Sequence, residues 1–198
     1  MTYYTLSDPC TATLEIKKSQ FLGFGFAIDS REQLMFHVEQ LRNQYPDARH
    51  VCYGYIIGDP HNTTSAGFDD DGEPSGTAGK PILNVLQHKG IGNCVVIVVR
   101  YFGGIKLGAG GLTRAYSSTA QAVVDNMNLH AFVPLSVIMI ETDFANESFV
   151  RHTLDGFNAT ILKVDYGKNV VLAVELAQKS VQVLSEKIGL YGTVKASE

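Results

Sequence analysis

One stretch constrains this chain more than any other: CVVIVVRYFGGIKLGAGGLTRAY, residues 94–116. Cys94–Tyr101 carries no charge before Arg100, so it reads as a strand buried on both faces rather than one that alternates between core and water. Its apolar run, 94–99, is far short of the roughly twenty residues a membrane helix needs. Glycines at 103, 104, 108, 110 and 111 follow, and the pattern predicts a helix over about 111–127. A buried strand that enters a glycine turn and opens a helix brings unpaired backbone N–H groups to one place.

A second dense stretch, FDDDGEPSGTAGKP, spans 68–81. It ends a segment, 59–77, with many breakers and no hydrophobic period, which predicts a long loop of the kind that usually carries function. Upstream of it, a strand is expected near Thr11–Ile16 and another apolar element at Phe21–Ile28. Ser30 is placed to cap a helix through LMFHVEQL that Pro46 stops, and His50–Gly58 is rich in strand formers. Thr77 is placed to cap a helix over roughly 79–89, with Pro81 tolerated in its first turn.

The pattern changes after Pro134. Strand Val137–Thr142, helix Asn146–Leu154, a hairpin of Ala159–Tyr166 and Val170–Leu176, helix Lys179–Ile188 and strand Gly192–Ala196 make a βαββαβ order, which suggests a ferredoxin-like sandwich. The expected architecture is therefore α+β in two domains, 1–133 and 134–198.

Net charge is −4, with 16 basic and 20 acidic residues, and both expected domains are mildly acidic. Bulk charge thus argues against a basic nucleic-acid module, and any such affinity must come from a local patch. The start, MTYYTLSDPCT, is not written as a secretion signal. Three widely spaced cysteines, Cys10, Cys52 and Cys94, fit reduced thiols, so a cytoplasmic protein without membrane contact is expected.

Neither stretch carries a complete signature of a known catalytic or metal-binding motif. Around Gly79-Lys80 a nucleotide P-loop fails, because Pro74 stands at its first glycine and Pro81 where a magnesium-binding hydroxyl belongs. A calcium loop ending at Gly72 fails, because Gly67 stands at its first ligand. His50 and Cys52 share a strand face but have no second pair to complete a zinc site. Ser75, Thr77, Lys80 and His50 would make a hydrolase only if the loop folded back on itself. No metal or cofactor is expected.

The glycine turn fares better. Arg100, Lys106 and Arg114 flank the helix start, suggesting a general anion site, against the plainer reading of a tight corner whose glycines serve packing. Tyr101 and Phe102 add aromatic rings that can stack a base, although core packing explains such rings as well.

DDGEPSGTAGKPIL (70–83) with VVRYFGGIKLGAGGLTRAYS (98–117) closely resembles the signature of the IMPACT family, in particular its bacterial YigZ-like members. KKSQF (17–21) and PDARHVCYGY (46–55) match the same pattern. Asp69 departs from it, standing where the family has serine. The resemblance covers essentially the whole chain. It implies a first domain like the βαβ domain of a small-subunit ribosomal protein and of translocation factors (their domain four). It implies a second domain similar to the last domain of elongation factor G. It also implies a link to the regulation of translation, and a functional surface of Asp70, Asp71, Glu73, Ser75, Thr77 and Lys80 with Arg100, Gly103, Gly104, Lys106 and Arg114. The Gly108, Gly110 and Gly111 amides complete the anion site. The expected activity is binding of RNA or a ribosome-associated partner. An enzyme acting on a small phosphorylated or peptide substrate, and a module that docks a protein partner in translation control, are the alternatives.

Overall fold

A computed structural model describes residues 3–196. The chain divides by its internal contacts between Phe132 and Val133. The first unit runs β1 (Tyr3–Leu6), β2 (Cys10–Ile16), β3 (Ser19–Ala27), α1 (Arg31–Gln44), β4 (His50–Asp59), β5 (Asn62–Asp69), α2 (Gly79–His88), β6 (Cys94–Tyr101), α3 (Ala109–Asp125) and β7 (Leu129–Phe132). Five of its strands form one antiparallel sheet, ordered β2-β3-β6-β4-β5, with β6 in the centre. Because β3 and β4 both run antiparallel to β6, the β3–α1–β4 crossover is a βαβ unit split by the later strand.

The central strand is apolar throughout because both of its faces are covered. Cys94, Val96 and Val98 pack with α2 and α3 on one side, while Val95, Ile97 and Val99 meet Leu34, Val38 and Leu41 of α1 on the other. Antiparallel sheets often leave one face to water; this one does not, which is why the usual alternation is missing from β6. Continuing that period of two, Arg100 falls on the α2/α3 face, at the strand end, where its register neighbours are Phe21 and His50. The row Phe21–Arg100–His50 is the frame on which the site is built.

Two expectations need correction. Residues 62–69 lie in a strand, not a loop: β5 pairs along β4 with a register shift beside Gly58, whose φ of +88° is left-handed. Being an edge strand, Asn62-Thr63-Thr64-Ser65 shows water small polar side chains and so lacks a hydrophobic period. The true loop is only 70–78. Nor does Thr77 cap α2, since its hydroxyl donates to the Pro74 carbonyl at 2.6 Å. Ser30, by contrast, does cap α1, accepting from the Gln33 N–H. Sequence patterning gave no sign of the β1–β7 ribbon, in which Tyr3 stacks on Phe132 at 4.8 Å.

The second unit runs β8 (Leu135–Thr142), α4 (Glu147–Asp155), β9 (Thr160–Tyr166), β10 (Val170–Ala177), a 3-10 turn at Gln178–Ser180, α5 (Val181–Ile188) and β11 (Thr193–Ala196). Its antiparallel sheet is ordered β11-β8-β10-β9. Ile138, Ile140, Leu172 and Val174 from one sheet face pack with Val150 and Leu154 of α4 and with Leu184 and Ile188 of α5. Among the described residues no helix is long and apolar enough to cross a membrane.

Candidate functional site

The two dense stretches meet. Glu73, from the 70–78 loop, is only 8% exposed, and one of its carboxylate oxygens accepts from Arg100 at 2.5 Å and from the Tyr116 hydroxyl at 2.8 Å. Beneath them the Cys52 thiol donates to the Asp70 carbonyl at 3.0 Å and lies 3.4 Å from the Tyr116 oxygen. Burial pushes this thiol well above its ordinary range, the Tyr116 contact opposes the shift, and the Glu73, Asp71 and Asp70 charges add to it. Burial likewise raises the Tyr116 phenol, helped by Cys52 and Glu73. Both groups are therefore protonated at neutral pH, so Cys52 is not held as a thiolate nucleophile.

The remaining loop carboxylates hold the loop itself. One oxygen of Asp70 accepts from the Ala78 and Gly79 N–H groups at 3.0 and 2.8 Å, and the other from Gly76 at 2.6 Å. Asp70 thus supplies to α2 the anchor that Thr77 does not, placing negative charge at a helix start. Asp71 has left-handed backbone, φ 41°; its side chain pairs with Arg42 at 2.8 Å and accepts from the Val51 N–H at 2.7 Å. The Asp71 carbonyl engages His50 Nδ1 at 2.8 Å, while Asp69 accepts from the Asp71 N–H. His50 and Cys52 do share a face, but each is already engaged. Among the described residues no three His, Cys, Asp or Glu side chains are placed to hold a metal. Ser75 and Lys80 are exposed. Neither Ser75 nor Thr77 hydrogen-bonds a side-chain base, so the local arrangement lacks an activated hydroxyl.

The glycines of the second stretch separate into kinds. A Cβ on Gly103 would come within 2.0 Å of the Lys18 backbone, and its N–H donates to the buried Ser19 hydroxyl at 3.1 Å. That contact gives KKSQF its place: the Lys17-Lys18 turn, left-handed at both residues, seats the glycine loop. Gly104 and Gly108 need φ of +83° and +70°. Gly110 needs neither, because a Cβ there would meet nothing within 4 Å and its φ is not left-handed. In a helix such a residue costs up to about 1 kcal/mol relative to alanine without a packing return.

Between the stretches lies a cleft of about 370 Å³. Arg49, His50, Arg100 and Lys106 supply its cationic and titratable side chains, against one acid, Glu73. Pro74, Phe102, Leu107 and Leu112 form apolar wall, and Gly108 and Ala109 open α3 into it. Gly108 is the N-cap of α3 and offers no side-chain bond, so the first N–H groups of a seventeen-residue helix stand without a side-chain acceptor. Arg100 lines the same cleft. Its Nε is shut off from water and, among the described residues, has no hydrogen-bond partner.

Of the residues singled out in sequence, His50, Glu73, Arg100, Phe102, Lys106 and Gly108 line the cleft, while Gly103, Gly104, Gly110 and Gly111 do not. Arg114 is exposed on α3 and does not line it. Sequence reading passed over Arg49 and Tyr116. Both sit inside the family-like segments, but Arg49 had no partner in view. Tyr116 falls on the Leu112–Tyr116–Ala120 stripe and reads as core, which it also is.

The Impact N-terminal domain family matches residues 17–124, a span that contains every group lining the cleft. YigZ of Escherichia coli K12, an IMPACT family member, is 36% identical over 180 residues, 91% of this chain and 88% of its own. The IMPACT homolog of Saccharomyces cerevisiae is 31% identical over 124 residues, 61% of this chain and 46% of its own. A crystal structure of a hypothetical protein aligns with a TM-score of 0.73 at 33% identity, covering all of this chain and 98% of the other.

Proposed function

Because the chain belongs to the IMPACT family, we propose that the cleft is an anion site through which it binds the phosphates of RNA, free or on the ribosome, in the regulation of translation. One observation carries this reading. A helix start without a side-chain cap, at Gly108, opens into the cleft beside Lys106 and Arg49. Unpaired N–H groups at such a start, next to cations, suit a phosphate. Lys106 and Arg49 supply the mobile cations, while Arg100, neutralised by Glu73, fixes the wall of the cleft beneath them. The translational setting is what the IMPACT resemblance implies. The βαββαβ order of the second unit supports a ferredoxin-like fold for it, beside a first domain that carries both motifs.

The test is fluorescence anisotropy with labelled short RNAs across a salt series. Affinity is expected to fall steeply with salt, because each neutralised phosphate releases counterions, and Lys106→Ala is expected to lower the slope by about one. Arg114→Ala, outside the cleft, changes affinity less than Lys106→Ala. Binding that ignores both salt and Lys106→Ala points instead to a docked protein partner or a small substrate, and would sink the anion reading.

A further inference from the structure

The geometry points to a single nucleotide of unpaired RNA as the unit the cleft holds, its phosphate at the start of α3 and its base on Phe102. This rests on the anion reading above and adds a base-binding half to it. The cleft is mostly apolar: beside its cations stand Pro74, Phe102, Leu107 and Leu112, surface that a bare phosphate has no use for. Phe102 remains 52% exposed directly after a buried strand. The Arg100 guanidinium lies 5.7 Å from its ring centroid, so the ring rests on a buried, charged support while half of it faces solvent. An aromatic platform next to backbone N–H groups and a lysine is the combination by which single strands are held, base on ring and phosphate on cation.

Two features narrow the ligand. A volume of about 370 Å³ lies near the lower end of small-molecule sites and suits one nucleotide rather than several. A base inside a duplex is stacked and paired, so its face reaches an aromatic ring only from a loop, an end or a single strand.

Isothermal titration of the full chain separates the possibilities, with inorganic phosphate, a nucleoside 5′-monophosphate, a single-stranded hexaribonucleotide and the same sequence as duplex. The monophosphate is expected to bind at least about fivefold tighter than phosphate, the least that one base–aromatic stack supplies. Phe102→Ala is expected to erase that ratio while leaving phosphate binding in place, and Phe102→Tyr to keep it. The single strand is expected to bind more tightly than either the duplex or the free nucleotide. Equal affinity for phosphate and nucleotide, or a preference that survives Phe102→Ala, overturns the base site while leaving the anion reading standing. A free nucleotide that binds as tightly as the hexamer overturns RNA as the source. Failure of phosphate, nucleotide and RNA alike removes both readings.

Discussion

Replacing Glu73 by alanine is expected to destabilise the first unit by about 3–5 kcal/mol, the cost of breaking a buried ion pair by removing one partner. The side chains of Arg100 and Glu73 are 8% and 4% exposed, so water cannot take over the lost contact. Arg100 would lose its counter-charge, and Tyr116 would lose the acceptor for a hydroxyl that sits among Phe21, Leu112 and Ala120. Hydrogen exchange of the β6 amides in a urea series reads this unit separately from the second. The double variant Glu73→Leu/Arg100→Met is expected to recover most of the loss, because two apolar groups of similar volume leave no charge unpaired. A cost below about 1 kcal/mol for Glu73→Ala would mean that the pair is solvated, as exposed pairs are. The wall of the cleft would then be looser than described.

Asp70→Ala is the second large effect, at about 2–4 kcal/mol. Three N–H groups, of Gly76, Ala78 and Gly79, lose a charged acceptor together, and the start of α2 loses a side-chain anchor. Since Glu73 and Pro74 ride on the same loop, RNA affinity is expected to fall along with stability. Asp70→Asn keeps an oxygen but turns the other acceptor into a donor facing an N–H, and is expected to lie between wild type and alanine. If Asp70→Ala left stability untouched and strengthened RNA binding by removing a negative charge, the loop would be a ligand-facing surface and not a strap.

These effects explain why the two motifs were easy to find and hard to assign. Arg100 stood out because it ends an apolar run, and the period of two that buries Val96 and Val98 also fixes the face it takes. Nothing in the spacing of Glu73, Arg100 and Tyr116, 27 and 43 residues apart, said that they share one oxygen. Asp70, Asp71 and Glu73 looked alike in sequence because composition records charge and not direction. In the fold one straps a helix, one pins a strand to α1 through Arg42, and one neutralises a buried guanidinium. The edge strand β5 was hidden for a related reason, since its order comes from pairing with β4 and not from its own polar side chains. The second unit, whose elements each bury a plain apolar stripe, was legible almost element by element. The glycines were legible as a loop, but only the geometry distinguishes Gly103, which packing requires, from Gly110, which it does not.

The most direct measurement is a backbone amide NMR titration of the full chain with a short single-stranded RNA at low salt. The account predicts the largest shifts at the N–H groups of Gly108, Ala109, Gly110 and Gly111, with smaller ones at Phe102 and Lys106, all reversed by added salt. Shifts confined to the second unit, or to the outer face of α1, would contradict it and place the RNA contact elsewhere on the chain.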